Sequence, residues 1–440
     1  MKIKLIEKDY SDVLVEKNKI REKHRKHVKP LKPNMFFRTL MRVVSIPGLH
    51  SAHFKSEKIG MEKLKKGEPA LILMNHSSFI DLEIVARILY PRPFNIVATT
   101  DGFIGKGWLM RQIGCIPTQK FVHDLNLIKD MMYTIKELKS SVVMFPEAGY
   151  SFDGTATPLP EGLGRCVKML GAPLVMITTH GAFSRDPLYN NLQARKVDVS
   201  ATEEYLLSPD EIQSMSESEI NEVVNKKFSF DNFRWQQENS IRIPESFRAD
   251  SLNRVLYKCP SCRAEGKMHG EGTLLSCRAC GKVYELDEYG YIAAKDGVTE
   301  FSHVPDWYAW EREEVRREIL SGEYRLDVIV DICMAIDMKR LFHIGEGVLV
   351  HTLDGFLLRG NNSELSYEQR PLASYTINSD FNWYELGDII SIGNSEALYY
   401  CFPKREGDIV AKTRLAAEEI YKIVREEKRK RRTEHPVSAT

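Results

Sequence analysis

Two short segments of the chain contain the residue types that general acid–base chemistry needs. The first runs from Asn75 to Asp81 and places a histidine, His76, five residues before the aspartate. A histidine can act as a general base near neutral pH, and a neighbouring carboxylate can fix its tautomer and stabilise the imidazolium. On a continuous helix this offset would point the side chains apart, so we expect His76 in the turn before a helix and Asp81 in its first turn. Two alternatives stay open: a capping box formed by Ser78 and Asp81, and a loop histidine with a structural role only.

The second segment runs from Phe145 to Ser151 and follows an apolar run of strand length. It contains a carboxylate, Glu147, and a glycine, Gly149, which gives the backbone freedom in a turn. Ligands bind at the carboxyl ends of the strands in open α/β sheets, so we expect both segments at the same edge of a sheet. Together they predict a polar pocket. The alternative for the second segment is a strand-to-loop turn without a chemical role.

Two Cys-x-x-Cys pairs, Cys259/Cys262 and Cys277/Cys280, are separated by fourteen residues. Four thiolates in two such knuckles favour one tetrahedral zinc ion per chain. Four protein ligands leave no open position, so the zinc is expected to be structural; a dithiol redox pair is the alternative. The other four cysteines stand singly among apolar neighbours and are expected to be buried free thiols: Cys115, Cys166, Cys333 and Cys401.

Apolar runs of strand length alternate with helix-like segments between about residues 69 and 181. Buried strands separated by amphipathic helices predict an α/β fold, with a mostly parallel sheet covered by helices. The expected strands are 70–74, 95–99, 141–145 and 174–178, and the expected helices are 82–90, 125–139 and 162–170. The candidate chemical segments follow the first and third of these strands.

The remainder of the chain predicts two smaller units. Tyr, Val and Leu residues around the cysteine pairs suit short strands, which indicates a zinc ribbon. From residue 325 to 402, apolar runs alternate with turn residues, so we expect a strand-rich C-terminal domain, closed by one helix over about 410–430. That order of elements resembles the pleckstrin-homology and GRAM-like domains.

The motif His76-x4-Asp81, the Phe-Pro-Glu element and a later Ala-Pro-Leu-Val strand resemble, in their order, the PlsC-type glycerolipid (1-acylglycerol-3-phosphate) acyltransferases. The resemblance covers about residues 55–200. It implies that His76 deprotonates an acceptor hydroxyl, which attacks an acyl thioester, while Asp81 orients the histidine. It also implies that the second segment helps to hold the acceptor, through Phe145, Pro146, Glu147, Gly149 and Ser151.

The chain departs from the family pattern where a phosphate would be bound. After the glutamate the family has Gly, Thr and Arg, whereas this chain has Ala148, Gly149 and Tyr150. The arginine expected to hold a phosphate is therefore missing. Lys120 stands where a basic residue closes the family's second motif, and it is the remaining candidate for a phosphate contact.

These features predict an O-acyltransferase that moves a fatty acyl group to a lysophospholipid or glycerol-phosphate-type acceptor, in phospholipid biosynthesis or remodelling. The resemblance implies acyl-CoA or an acyl carrier protein as donor. The alternative is a catalytically inactive lipid- or protein-binding module on an acyltransferase fold. The expected domains are a membrane-contact segment (1–50), the acyltransferase domain (51–250), the zinc ribbon (251–300) and the strand-rich domain (301–440).

Charge and hydropathy indicate which partners and which cellular location to expect. Lys and Arg number 62 against 61 Asp and Glu, so no nucleic-acid partner is expected. No apolar run approaches the roughly 18 residues that span a bilayer, and the charged start of the chain does not resemble a signal peptide. We expect a cytoplasmic protein bound peripherally to an anionic membrane surface. The expected contacts are the basic run 17–32 and the apolar residues Phe36, Phe37, Leu40 and Val44. Solvated charges and a core-packing helix are the alternatives.

Overall fold

The computed structural model describes residues 3–22, 27–122, 124–360, 363–405 and 409–434, with side chains up to residue 431. The backbone forms three sheets, which have seven, four and eight strands. Residues 23–26 of the predicted basic run 17–32 lie outside the described residues. Among the described helices, none combines the length and the apolar character that crossing a membrane requires.

The seven-stranded sheet is preceded by one strand and three helices: β1 (Leu5–Glu7), α1 (Tyr10–Glu22), α2 (Met35–Val44) and α3 (Ile46–Ser51). The sheet and its helices then follow in the chain order β2 (Lys55–Ile59), β3 (Leu71–Met74), α4 (Ile80–Leu89), β4 (Phe94–Thr99), α5 (Gly107–Gln112), β5 (Cys115–Thr118), α6 (Leu125–Lys136), β6 (Ser141–Met144), α7 (Leu163–Leu170), β7 (Leu174–His180), α8 (Ala182–Arg185) and β8 (Ser200–Leu207).

The strand order of this sheet is β2-β8-β7-β3-β6-β4-β5. The five strands β3 to β7 run parallel to one another, whereas β8 is antiparallel to β7, and β2 pairs with β8 in parallel. The predicted mostly parallel sheet is therefore confirmed for five strands and is wrong for the β8–β2 edge. All four predicted strands are present, and they form its centre.

The central strand β3 is apolar on both faces because helices cover the sheet on both sides. Ile72 and Met74 pack in one core cluster with α4, whereas Leu71 and Leu73 pack in another cluster with α6 and α7. This arrangement explains why the predicted strands show no alternation of polar and apolar residues. It also fixes the carboxyl ends of β3, β4, β5, β6 and β7 along one edge of the sheet.

Three helices connect this sheet to the cysteine-rich region: α9 (Pro209–Ser214), α10 (Glu217–Lys227) and α11 (Asn232–Glu238). The small antiparallel sheet then has the order β12-β11-β10-β9, built from β9 (Met268–Glu271), β10 (Leu274–Cys277), β11 (Val283–Leu286) and β12 (Ile292–Ala294). Helix α12 (Val304–Leu320) follows. Its fully buried Trp307 has its ring centroid 4.9 Å from that of Tyr284 on β11, which ties the ribbon to the helix.

The C-terminal region contains seven strands and one helix: β13 (Leu326–Ala335), β14 (Leu341–Thr352), β15 (Gly355–Gly360), β16 (Leu365–Gln369), β17 (Asn378–Trp383), β18 (Gly387–Asn394), β19 (Ala397–Pro403) and α13 (Ile409–Glu434). Their order is β16-β15-β14-β13-β19-β18-β17, and all these neighbours are antiparallel. A strand-rich region that ends in one helix is therefore present. The likeness to pleckstrin-homology and GRAM-like domains stays a prediction.

The first strand of the chain joins the C-terminal sheet. β1 pairs in parallel with β14, and Lys17 on α1 forms an ion pair with Glu396 at 3.0 Å. By contrast, α2 and α3 pack against α4. The described part of the predicted membrane-contact segment is thus shared between two regions, and part of its basic run is engaged with acidic groups of the protein. The predicted domain boundaries themselves stay predictions.

Candidate active site and metal site

His76 lies in the turn after β3, and Asp81 lies in the first turn of α4. His76 Nδ1 is 3.1 Å from Asp81 Oδ2, and the same carboxylate oxygen accepts the backbone N–H groups of Ser77 and Ser78 at 2.8 and 3.1 Å. Asp81 is buried, whereas 24% of the His76 side chain is exposed. An Nδ1–H donated to Asp81 leaves the lone pair of the imidazole on Nε2, where a general base needs it.

The N-terminus of α4 bears on both interpretations of Asp81. The helix begins at Ile80 with Phe79 in the N-cap position. The Asp81 carboxylate accepts the N–H of Ser78, which is one half of a capping box, but no side-chain cap hydrogen bond completes the box, and the same carboxylate also accepts from Ser77 and His76. Its position therefore fits an acceptor that orients the histidine.

The second segment packs around His76. The rings of Phe145 and Tyr150 each have their centroid 4.3 Å from that of His76. The backbone N–H of Ser151 donates to the carbonyl of His76 at 3.3 Å. The structure thus brings the two candidate segments together at the carboxyl edge of the sheet.

Glu147 lies behind His76 in the protein interior. Its carboxylate accepts the backbone N–H of His76 at 3.1 Å, and the N–H and hydroxyl of Thr157 at 3.1 and 3.2 Å. Burial raises the pKa of Glu147 to about 7, although these hydrogen bonds act in the opposite direction. With these partners, Glu147 holds the histidine loop in place.

The other predicted acceptor contacts differ in their surroundings. Ser151 is buried, and its hydroxyl donates to the carbonyl of Thr155 at 2.6 Å, so it shapes the loop. Pro146 is buried as well. Space around Gly149 is open: a Cβ added there would meet no atom within 4 Å. The segment therefore presents Phe145 and Gly149 to a ligand more directly than Ser151.

Lys120 follows β5 and lies at the same edge of the sheet. Asp380, on β17 of the C-terminal sheet, is close enough for the Lys120 ammonium to lower the pKa of its carboxyl group. Burial dominates, however, and raises the pKa of Asp380 to about 6. The predicted phosphate contact therefore has an acidic neighbour from the C-terminal sheet.

Several groups at this edge were not predicted from the sequence. The C-terminal sheet contributes Trp383, whose Nε1–H donates to Asp101 at 3.2 Å. Asn75 joins β3 to β7, because its side-chain oxygen accepts the N–H of Thr179 at 2.8 Å. Asp186 follows α8, and burial raises the pKa of its carboxyl group to about 7. Asn75 directly precedes the histidine, which is a usable signal; for Trp383 no local pattern points to the site.

The four paired cysteines converge, as their spacing predicts. Their Sγ atoms all lie within 4.8 Å of one another, with Cys259–Cys280 at 3.8 Å and Cys262–Cys277 at 3.7 Å. Tetrahedral coordination with zinc–sulfur bonds of about 2.3 Å requires sulfur–sulfur distances of about 3.8 Å. The donor set and its dimensions therefore fit a zinc ion. The four other cysteines are buried free thiols, as expected.

Comparison with known proteins points to the region that contains the candidate active-site residues. Residues 55–179 match the family model for Acyltransferase. A solved structure similar to this chain is the 1-acyl-sn-glycerophosphate (LPA) acyltransferase PlsC from Thermotoga maritima, at 14% sequence identity, with 43% of this chain and 78% of that chain covered. Its TM-score of 0.35 is too low to support a shared overall fold. The segment that contains His76, Asp81 and Glu147 is thus the part of this chain that is similar to the acyltransferase family.

Proposed function

We propose that the chain transfers a fatty acyl group from a thioester to the hydroxyl of a lysophospholipid or related glycerolipid. The observation that carries the proposal is the His76–Asp81 pair at the carboxyl edge of a parallel sheet, within the segment that matches the acyltransferase family. The imidazole is partly exposed and its orienting carboxylate is buried. An inactive binding module would have no chemical need for this arrangement.

In the proposed reaction, Nε2 of His76 removes the proton of the acceptor hydroxyl. The acceptor oxygen attacks the thioester carbonyl, and a tetrahedral intermediate forms. When it collapses, the carbon–sulfur bond breaks and the imidazolium returns the proton to the leaving thiolate. Asp81 stabilises the imidazolium between these steps, and Glu147 keeps the histidine loop in position. The donor is a thioester of coenzyme A or of an acyl carrier protein.

The lipid substrates are proposed to reach the site from an anionic membrane surface on the cytoplasmic side. A set of exposed apolar side chains, here called the apolar rim, supports this: Phe36, Leu40 and Val44 on α2, Phe79 beside His76, and Trp108 on α5. Phe37 is buried, and its ring centroid lies 6.0 Å from that of Trp108. Phe37 therefore packs beneath the apolar rim and is not one of its exposed members. Such a stripe on an outward helix face is typical of an interfacial helix.

The bound metal is proposed to be one structural zinc ion. Cys259, Cys262, Cys277 and Cys280 supply four thiolates, which leaves no position for a substrate. Within this proposal the zinc stabilises the ribbon, and the acyl transfer takes place at His76.

The function is tested by incubating the purified protein with a labelled acyl thioester and a panel of lysolipids. Wild type should form an acylated lipid, and His76→Ala should reduce turnover by at least about 10²-fold because the general base is lost. Its thermal unfolding should remain close to wild type, since the imidazole is partly exposed. His53→Ala is the matched control, because His53 also pairs with an aspartate, Asp198, but at an exposed site. Near-wild-type turnover of His76→Ala would contradict the proposal.

A further inference from the structure

The imidazole of His76 lies between two aromatic side chains of the second segment. The ring centroids of Phe145 and Tyr150 are each 4.3 Å from that of His76, and their planes are inclined to the imidazole by 30° and 40°. In the described part of the chain these two side chains form no ring contact with each other, although both lie equally close to the imidazole. They therefore lie on different sides of it. This pair, Phe145 and Tyr150, is here called the aromatic clamp.

The backbone of Tyr150 is held on two sides. The N–H of the next residue, Ser151, donates to the carbonyl of His76 at 3.3 Å, which ties the tyrosine to the histidine turn. The carbonyl of Tyr150 accepts from Nη1 of Arg414, on α13, at 3.5 Å. The guanidinium carbon of Arg414 also lies 4.3 Å from the ring centroid of Phe152, two residues further along the chain. The position of the tyrosine is thus set by its own loop and by the C-terminal helix.

Three ionisable side chains of the described residues contact His76. The Asp81 carboxylate lies 3.1 Å from Nδ1, the Glu147 carboxylate accepts the backbone N–H at 3.1 Å, and the Tyr150 ring stacks on the imidazole. Burial raises the pKa of the Tyr150 phenol well above its usual value, so this ring stays neutral. The face of a neutral aromatic ring is electrically negative and attracts a cation within about 6 Å of its centroid. The aromatic clamp therefore favours the imidazolium over the neutral imidazole.

Stabilisation of the imidazolium lowers the barrier to proton abstraction, because the positive charge on the histidine develops in that step. The family pattern has an arginine where this chain has Tyr150. A guanidinium against the imidazole would have the opposite effect, since a like charge disfavours the charged form. At this position the chain therefore places a neutral ring, and no fixed positive charge, against the proposed general base.

We propose that Tyr150 is a positioning residue for acyl transfer: together with Phe145 it fixes the imidazole plane of His76 and stabilises the imidazolium by a cation–π interaction. This inference rests on the proposed function and adds a residue to its site. The proton moves from the acceptor hydroxyl to Nε2 and later to the leaving thiolate, as proposed above. The aromatic clamp takes up no proton and forms no bond with the substrate.

The kinetic test compares Tyr150→Phe and Tyr150→Leu with wild type, using labelled palmitoyl coenzyme A and the lysolipid panel at saturating concentrations. Tyr150→Phe keeps the ring, so its kcat should stay within about twofold of wild type. Tyr150→Leu should lower kcat by roughly 3- to 30-fold with a much smaller change in KM, because only the charged histidine loses a partner. Tyr421→Leu is the control, since Tyr421 also stands beside a cation, Arg425, but on α13.

The spectroscopic test needs no turnover. Histidine labelled with ¹³C at Cε1 gives one signal per imidazole, and the signal missing from His76→Ala identifies His76. Ring currents of two stacked rings should displace this signal upfield from that of His53, whose side chain is 71% exposed. The displacement should persist in Tyr150→Phe and shrink in Tyr150→Leu. If the leucine variant does not fold, Tyr150→Met supplies a flexible side chain without a ring.

The two measurements separate this inference from the proposed function. An upfield His76 signal that depends on the ring at position 150, without any acyl transfer, would support the aromatic clamp and contradict the proposed function. Acyl transfer with equal kcat in wild type and the ringless variant, or with equal losses in Tyr150→Phe and Tyr150→Leu, would overturn the role of the clamp alone. An undisplaced His76 signal together with no acyl transfer would overturn both.

Discussion

At the scale of single residues, the site depends on carboxylates that hold a histidine from two sides. Asp81 accepts from the imidazole and from two loop amides, and Glu147 accepts the backbone N–H of the same histidine. Together these hydrogen bonds join the loop to α4 and to the second segment, so the loop is fixed before a substrate arrives. Nε2, the proposed base, is therefore placed by backbone contacts as well as by the partner of Nδ1.

Ala148 occupies the position of a glycine in the family pattern, and its backbone explains why. Its φ is +56°, in the left-handed region that disfavours residues with a Cβ. The strain costs about 1–2 kcal/mol, partly offset by the extra unfolded-state entropy of a glycine. We expect Ala148→Gly to raise the free energy of unfolding by about 0.5–1 kcal/mol. Urea denaturation at constant m-value measures this, with Ala156→Gly as the control; an unchanged or lower midpoint would contradict the strain argument.

At the scale of elements, α2 carries most of the apolar rim. Its buried Phe37 faces the protein, and Asn34 caps the helix by accepting the N–H of Phe37 at 3.1 Å. The arginines of α2 lie on the flanks of the helix, between its buried and its exposed side. The guanidinium carbon of Arg42 is 4.4 Å from the ring centroid of Tyr90. The helix thus combines a packed inner side, cationic flanks and an apolar outer side, which suits a membrane interface.

The double variant Phe36→Ser/Val44→Ser should weaken vesicle binding without unfolding the protein, because both side chains are 67% exposed. Burying two such side chains contributes roughly 3–5 kcal/mol, so binding should fall by at least about 10²-fold. Co-sedimentation with phosphatidylcholine/phosphatidylglycerol vesicles measures this at two salt concentrations. Val298→Ser, exposed near the ribbon, is the control. Unchanged binding of the double variant would place the membrane contact elsewhere.

The elements that were predicted correctly are those whose pattern is local. The central strands are continuous apolar runs, and the helices predicted between them are present as α4, α6 and α7. β2 was missed because its sequence, Lys55–Ile59, is polar and exposed at a sheet edge, and β5 because it is short and contains Pro117. The His76–Asp81 geometry was predictable, since five residues separate the partners. The Trp383–Asp101 contact was not, because only the packing of two sheets brings these residues together.

At the scale of the whole molecule, the ribbon shares one core with parts of both large regions. One continuous core cluster includes Phe183 from the first region, Tyr284 from the ribbon, Trp307 from α12 and Ile390 from the C-terminal sheet. Lys258, next to the first cysteine, is buried beside Glu314 and Glu318 of α12. Damage to the ribbon should therefore be transmitted to both sheets.

Zinc removal should consequently destabilise the entire chain. Metal analysis should return about one zinc per chain, and chelation or Cys262→Ser should lower the midpoint of thermal unfolding by at least about 5 °C, because metal-binding energy is folding energy. Ser261→Ala, in the same knuckle, is the control. A protein without metal that keeps its full stability and activity would exclude the structural role.

The pairing of β1 with β14 can form only late in biosynthesis, because β14 is translated long after β1. Glu7 and its ladder partner His343 are 336 residues apart. At about 5–20 residues per second, a ribosome needs roughly 17–70 s to make the intervening chain. Throughout that interval β1 has no strand to pair with, and Asp101, in the loop after β4, lacks its contact with Trp383 of β17. The nascent polypeptide thus carries its candidate catalytic histidine long before the C-terminal sheet can fold against it, and completion of the fold waits for the last sheet to be translated.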